Sequence, residues 1–329
     1  MFQFKLFIGP QTTNVLDAII KYDKIHPNKL GIIVSRDQVE SKKYGGAYLF
    51  NNKKKFIDYV RSGKSKIQIC RDHGGIFKNK AEKNLSYKKA YINSLDSLSE
   101  DSDLLFDIIH LDPENFKKRY DESNHFINNI ISANNKILIE FGEEKKMLNL
   151  NKKNYLNDLY FFSKFEKNKK FILSYTKSYI RNGKNYIKFN EKDYEFMINE
   201  TSRHGLKIKD HNCDFLSTID LKKKLKLGIE NFNIAPEFSF VENDFLFKLS
   251  KKYKYISEFN SFSNLVLKTN NWKRWTNINS DKYLKYKLSA HYSYKTLEYR
   301  NLIKKINQHL DYNSFIIKEL VKLINNKLK

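Results

Sequence analysis

Short apolar runs rich in Ile, Leu, Val and Phe recur along this chain, each four to six residues long. They are Phe4–Ile8, Leu30–Val34, Lys66–Cys70, Phe106–Leu111, Ile137–Phe141, Phe171–Tyr175, Leu206–Lys209 and Asn231–Ala235. Runs of that length, apolar on both faces, predict strands of a covered parallel sheet. Between them, Asn14–Lys24, Asn51–Arg61, Phe116–Asn134, Glu191–His204 and Asp214–Leu227 carry apolar residues at helical spacing. Gly205 and Gly228 follow two of these segments, where a helix C-terminus favours glycine. The strand-to-strand interval of about 25–40 residues is the size of one strand–helix unit. Eight units predict an α/β fold, a closed (β/α)8 TIM barrel, over residues 1–257. An open doubly wound sheet fits less well, because only Gly9-Pro10 follows the first strand in place of a dinucleotide fingerprint.

From Glu258 the pattern changes. Asn260–Ser280 is polar and aromatic, with Trp272 and Trp275 one helical turn apart. Beyond Asp281 the chain reads as helical and ends in an apolar ladder through Phe315, Ile316, Leu320, Leu323 and Ile324. Residues 258–329 are expected to form a C-terminal helical extension that packs on the barrel or dimerises.

Reactive groups of a (β/α)8 barrel stand at the C-terminal ends of its strands. Several runs here end in acids and histidines. The third discharges Asp72 and His73 into Gly74-Gly75, and the fourth carries His110 and Asp112. The fifth carries Glu140, and the seventh ends in His211 and Asp214. Imidazoles gathered with carboxylates predict a metal or acid–base centre. Two imidazoles and a carboxylate suit a catalytic divalent metal such as zinc, and barrel closure would bring His73, His211 and Glu140 to one mouth.

Alternation places Lys209 on the same strand face as His211. It is read chiefly as an interior lysine paired with nearby acids, and secondarily as an amine for Schiff-base chemistry. The segment Ser35–Tyr48 is expected as a flexible loop or lid whose Gln38 hydrogen-bonds substrate hydroxyls. No Gly-rich phosphate loop follows the last two strands, so an anionic substrate would be held by lysines such as Lys177.

The formal charge of +24 at first suggests a nucleic-acid partner. The excess is mostly lysine and is scattered through every segment, which is the signature of a solvated surface, so no nucleic acid is expected. Cys70 and Cys213 are the two cysteines and make no disulfide framework, as suits a reducing cytoplasm. No apolar stretch approaches the length of a membrane span, and no membrane partner is expected.

The motifs resemble those of the so-called non-catalytic subunit of class II tagatose-bisphosphate aldolase and related barrel sugar epimerases. Ser35, Asp37, Gln38 and Val39, then Gly45, Gly46 and Tyr48, are similar to that family's Ser-Asn-Gln-Val and Gly-Gly-Tyr. Asp72-His73-Gly74-Gly75 resembles its Asp-His-x-Gly-Pro, and Ile109-His110-Leu111-Asp112 its Ile-His-Leu-Asp. Glu140, the Asp210–Asp214 segment and Ala235–Phe240 fall where the family has its strand-5 Glu, Ala-His-Ser-Thr-Asp and Gly-Pro-Ala-Leu-Thr-Phe. The matches run in order from about Ser35 to Asn243.

The resemblance implies a lyase or epimerase of carbohydrate metabolism, acting on a sugar or sugar phosphate through an enediolate. His73, His211 and Glu140 would be metal ligands, with Asp72 and Asp112 catalytic. Gln38, His110, Asp214, Lys177 and Lys209 would contact substrate. The alternative it implies is a non-catalytic partner that stabilises a separate aldolase subunit; a homo-oligomer is also compatible.

Overall fold

The computed structural model describes residues 5–62, 65–143, 150–165, 170–173, 178–187 and 190–329. Among these residues, eight parallel strands form a curled sheet that closes on itself. They are β1 (Lys5–Ile8), β2 (Leu30–Ser35), β3 (Gln68–Gly74), β4 (Ile108–Leu111), β5 (Leu138–Phe141), β6 (Lys170–Leu173), β9 (Lys207–Asp210) and β10 (Asn231–Ile234). Their order is β1-β10-β9-β6-β5-β4-β3-β2, and β2 pairs again with β1. The expected α/β class and parallel sheet are therefore present, with observed strand ends within a few residues of the apolar runs.

A helix follows each strand before the next begins. These are α1 (Thr13–Ile25), α2 (Lys53–Arg61), α3 (Tyr87–Asp103), α4 (Arg119–Ala133), α5 (Lys152–Ser163), α6 (Glu191–Arg203), α7 (Thr218–Lys226) and α8 (Pro236–Lys252). Several are capped as their sequence directs. Thr12, Asn52 and Ser86 each accept a hydrogen bond from the third residue on, which satisfies a donor that the first turn leaves free. Gly205 and Gly228 take positive φ beyond α6 and α7, the left-handed conformation that lets a helix stop.

Two cores result. The larger lies between sheet and helices, through side chains such as Leu16, Ile69, Phe126 and Phe162. The smaller fills the barrel interior with Phe7, Ile33, Cys70 and Ile108. Gly31 makes room for that plug: a Cβ there would lie 2.3 Å from the Phe7 ring.

One element was not expected. Between β6 and α6, β7 (Ser178–Arg181) and β8 (Lys184–Ile187) form an antiparallel hairpin. Its turn residues Asn182 and Gly183 have φ of 55° and 66°, the two left-handed positions of a tight hairpin turn. Asn-Gly was its local signal.

Helix α9 (Ile256–Lys268) begins two residues before the expected boundary and covers part of the stretch read only as polar and aromatic. Helices α10 (Lys282–Ser289), α11 (Leu297–Ile306) and α12 (Tyr312–Leu328) follow. Helix α12 packs on α1, α7 and α8, burying Ile316, Leu320 and Ile324 from the terminal ladder. Its Lys327 Nζ reaches Glu237 Oε1 at 2.7 Å and the Leu216 carbonyl at 2.7 Å, tying the chain's end to the loop after β9. No helix among the described residues is long and apolar enough to cross a membrane.

Candidate active site

Strand β3 carries the centre of the site. Its pairing with β4 slips between Arg71 and Gly74, and His73 sits at φ 49°, a left-handed conformation rare for a side chain of this size. The slip turns both Asp72 and His73 toward the mouth. Gly74 and Gly75 permit it by close approach rather than by flexibility. A Cβ on Gly74 would lie 2.6 Å from the His110 carbonyl oxygen, and one on Gly75 would lie 2.5 Å from that of Asp112.

Behind the mouth, buried charges lock the neighbouring loop. Arg71 grips Asp101 with two hydrogen bonds and donates to the carbonyls of Val34 and Val39. Arg36 Nε pairs with Glu40 at 2.6 Å and Lys53 Nζ with Glu40 at 3.0 Å, all three side chains being fully buried. The Ser35–Tyr48 segment is thus a braced wall, which corrects its reading as a flexible lid. Gln38 belongs to the brace. Its Oε1 accepts from the Ser35 N–H and its Nε2 donates to the Pro10 carbonyl.

A cavity of about 400 Å³ opens at the strand ends. Of the expected site residues, Asp72, His73, His211, Asp214 and Gln38 line it. His110, Glu140, Lys209 and Asp112 lie behind its wall, each fully buried. Lys177 falls outside the described residues.

Asp72 is the meeting point. Its Oδ2 lies 3.6 Å from His73 Nε2 and its Oδ1 lies 3.5 Å from His110 Nδ1. Burial alone would raise its pKa, but His73, His110 and His211 outweigh burial and hold the carboxyl below the usual range. Oδ1 is buried without a hydrogen-bond partner.

Each imidazole is oriented from behind. His73 Nδ1 lies 3.3 Å from Asp112 Oδ2, which leaves Nε2 toward Asp72. Asp112 also holds Lys78 at 2.6 Å and accepts the Glu114 N–H. Burial opposes its charge, but His73 and Lys78 prevail and keep it ionised. His110 Nε2–H donates to the Gly142 carbonyl at 3.1 Å while its Nδ1 accepts the His73 N–H at 3.2 Å. His211 Nε2 lies 2.5 Å from Glu140 Oε1 and 2.7 Å from Asn233 Nδ2.

Glu140 also faces Lys209, whose Nζ is 2.7 Å from Oε2, 3.3 Å from Cys70 Sγ and 4.1 Å from the centre of the Phe7 ring. Burial works against that ammonium, but Cys70 and Glu140 outweigh it and raise the pKa. The interior salt-bridge reading of Lys209 is the one realised, with both side chains buried. Asp214 caps α8, its Oδ1 accepting from the N–H groups of Ala235 and Glu237. Burial and Glu237 push its pKa well up.

The donors present fit a divalent metal. Ligand atoms of Asp72, His73 and His110 all lie within 4.8 Å of one another, and so do those of His110, Glu140 and His211. The two groups share His110, so His73 and His211 stand on either side of it, with ring centres 5.5 and 5.2 Å away. The orphaned Asp72 Oδ1 adds a buried acceptor beside His110.

The far wall of the cavity comes from elsewhere in the chain. Arg274, Trp275 and Tyr292 of the extension line it together with Lys78, Lys80 and Lys83. The hairpin braces this wall: the Asn182 N–H donates to the Trp275 carbonyl, and Thr276 Oγ1 donates to Asn182 Oδ1. The paired tryptophans were visible in sequence, but only the fold shows Trp275 on the cavity and Trp272 Nε1 bound to the Leu267 carbonyl.

No protein-family model matches the chain, and no curated protein matches it in sequence. The fold is shared with solved structures at low identity. A Sinorhizobium meliloti 1021 protein described as a probable tagatose 6-phosphate kinase superposes with TM-score 0.79 at 13% identity, covering 98% of this chain and 93% of that one. The fructuronate–tagaturonate epimerase of Cohnella laeviribosi gives 0.59 at 11% identity, with 99% and 82% covered. A fructose-bisphosphate aldolase of Campylobacter jejuni gives 0.55 at 12%, with 99% and 90% covered. The chain therefore has an α/β fold of the kind found in sugar aldolases and epimerases.

Proposed function

We propose that this chain is a metal-assisted sugar aldolase or epimerase of the (β/α)8 TIM-barrel class, acting on a sugar or sugar phosphate. The observation that carries the reading is Asp72, a carboxylate ringed by three imidazoles, with an unpartnered oxygen at the wall of a cavity large enough for a hexose. The neighbours named for tagatose 6-phosphate, fructose bisphosphate and fructuronate–tagaturonate support the substrate class.

His211 and Glu140 would hold a divalent metal, zinc being compatible with such donors, whereas His73, expected as a ligand with them, belongs to the other group of donors, with Asp72 and His110. A bound divalent metal supplies Lewis acidity toward a ketose carbonyl and the oxyanion that develops from it. Asp72, whose side chain lines the cavity, would take a proton from a substrate hydroxyl in retro-aldol cleavage, or from the carbon beside the carbonyl in epimerisation. Asp112 acts as a positioning residue: it fixes the His73 ring and does not line the cavity. His110 lies between the His73 and His211 rings, with its own nitrogens bonded to the Gly142 carbonyl and the His73 N–H.

One observation favours the alternative, a non-catalytic subunit that stabilises a separate aldolase. Lys209 neutralises Glu140 and would compete with a metal for that carboxylate. The chain purified alone decides between them by elemental analysis and by assay of aldol cleavage and epimerisation on ketose phosphates and hexuronates. Bound metal with turnover supports the enzyme. A metal-free, inactive chain that restores a class II aldolase supports the subunit.

A further inference from the structure

We infer that Arg274 and Lys80 form an oxyanion subsite on the outer wall of the cavity, reading a phosphate ester or carboxylate on the substrate. That the anion belongs to a substrate rests on the function proposed above; the subsite itself rests on the charges placed there.

Four cations line this wall, Lys78, Lys80 and Lys83 from the loop after β3 and Arg274 from the extension, and of these Lys78 is taken by Asp112 and Glu114. Asp37 faces Lys80 and Arg274, with Oδ2 3.5 Å from Arg274 Nη2 and Oδ1 taken by the Lys80 backbone N–H. The patch therefore keeps an excess of positive charge inside a concave, partly desolvated surface, where an anion is drawn most strongly. The Tyr292 ring lies under both principal cations, 5.2 Å from Lys80 Nζ and 5.9 Å from the Arg274 guanidinium carbon, and holds them toward one another.

The crowding shows in Lys80, whose pKa is lowered by burial and then by Arg274. An oxyanion between the two would relieve that repulsion, and the planar arginine fork suits two of its oxygens. The neighbouring Trp275 lines the same wall. The charges that act on Lys80 are Arg274, Asp37 and Lys83, whereas the strongest acting on Asp72 are those of His73, His211 and His110. The anion-reading and proton-moving parts of the cavity are thus distinct. What separates these cations from the many solvated lysines of the chain is that they share a cavity and largely lack acids.

Calorimetric titration with inorganic phosphate tests the subsite in the full chain. Arg274→Gln and Lys80→Gln should each weaken phosphate binding about tenfold or more, and wild-type affinity should fall steeply as salt rises. Lys251→Gln, on an exposed turn of α8, should leave it unchanged. Equal affinity in wild type and both cavity variants, or no binding by wild type, overturns the subsite. Assays with a ketohexose, its 6-phosphate and a hexuronate then distinguish the sources of the anion. Arg274→Gln should raise KM for the anionic sugar that is used, with kcat little changed. A wild-type protein that turns over no sugar yet loses phosphate affinity in both variants keeps the subsite and sinks the catalytic proposal. Turnover of a neutral ketose without phosphate binding does the reverse.

Discussion

Lys209 Nζ stands 2.7 Å from Glu140 Oε2, with both side chains withdrawn entirely from solvent in the barrel interior. The pair is the floor of the site, because the other Glu140 oxygen holds His211. A buried ion pair adds little net stability, but breaking it leaves one charge stranded. Lys209→Met should therefore destabilise the fold by about 3–5 kcal/mol at neutral pH in urea denaturation. Lys209 helps hold the Glu140 pKa far below the usual carboxylate range against the pull of burial. Without it the carboxyl takes up a proton more readily, so the loss should shrink as pH falls. An unchanged midpoint at neutral pH would mean that Glu140 finds another partner.

Asp72→Asn keeps the shape of the side chain and removes its titratable oxygen. Turnover should fall by about 10²–10⁴-fold, the usual contribution of a general acid or base, while the fold and metal content remain. Loss of metal along with activity would reassign Asp72 from proton transfer to ligation.

Two glycines should respond differently to alanine. At Gly74 the new Cβ meets the His110 backbone 2.6 Å away, and a strand cannot yield as a side-chain tip can. Gly74→Ala should cost about 1–3 kcal/mol and disturb the His73–His110 contact. At Gly205 nothing lies within 4 Å, so only its φ of 66° opposes a side chain. That substitution should cost about 1–2 kcal/mol without affecting the site. Thermal melts together with imidazole NMR shifts separate the two.

Glu242, on α8, is fully buried and accepts hydrogen bonds from Thr12 Oγ1 at 2.6 Å and Asn14 Nδ2 at 2.7 Å. Burial pushes its pKa up to about 7, and the two hydrogen bonds recover part of the shift. The folded state thus binds this proton more tightly than the unfolded chain. The stability it contributes is complete below the ordinary value of 4.5 and is lost as pH rises through about 7. Glu242→Gln should flatten that slope: little change in melting temperature near pH 4, and a gain over wild type near pH 8. Parallel slopes for both proteins would show that Glu242 titrates alike in the folded and the unfolded chain.

Much of the scaffold was legible in the chain. The eight apolar runs map onto the strands of the sheet, and reading their C-terminal ends brought Asp72, His73 and His211 to one cavity. Those features follow from local periodicity and burial, which a strand or helix displays in its own residues. The Asn182-Gly183 turn was equally local; its hairpin was overlooked because eight strand–helix units already accounted for the segment.

What each polar group does was decided by the tertiary structure. Asp72, Asp112 and Asp214 are three acids at strand exits, alike in sequence. One meets imidazoles at the cavity, one steers His73 from behind, and one caps a helix. Lys209 pairs with Glu140 from 69 residues away, and Arg274 reaches Asp37 from 237. The length of a run and the spacing of its apolar residues set where the backbone turns and which face is buried, so the sequence alone determined the layered scaffold and the edge on which chemistry could stand. Charge, proton position and hydrogen bonding depend on distances through space to groups that the chain brings near only by folding. Those distances, not spacing along the chain, made Asp72 the centre and drew the far wall of the cavity from the C-terminal extension.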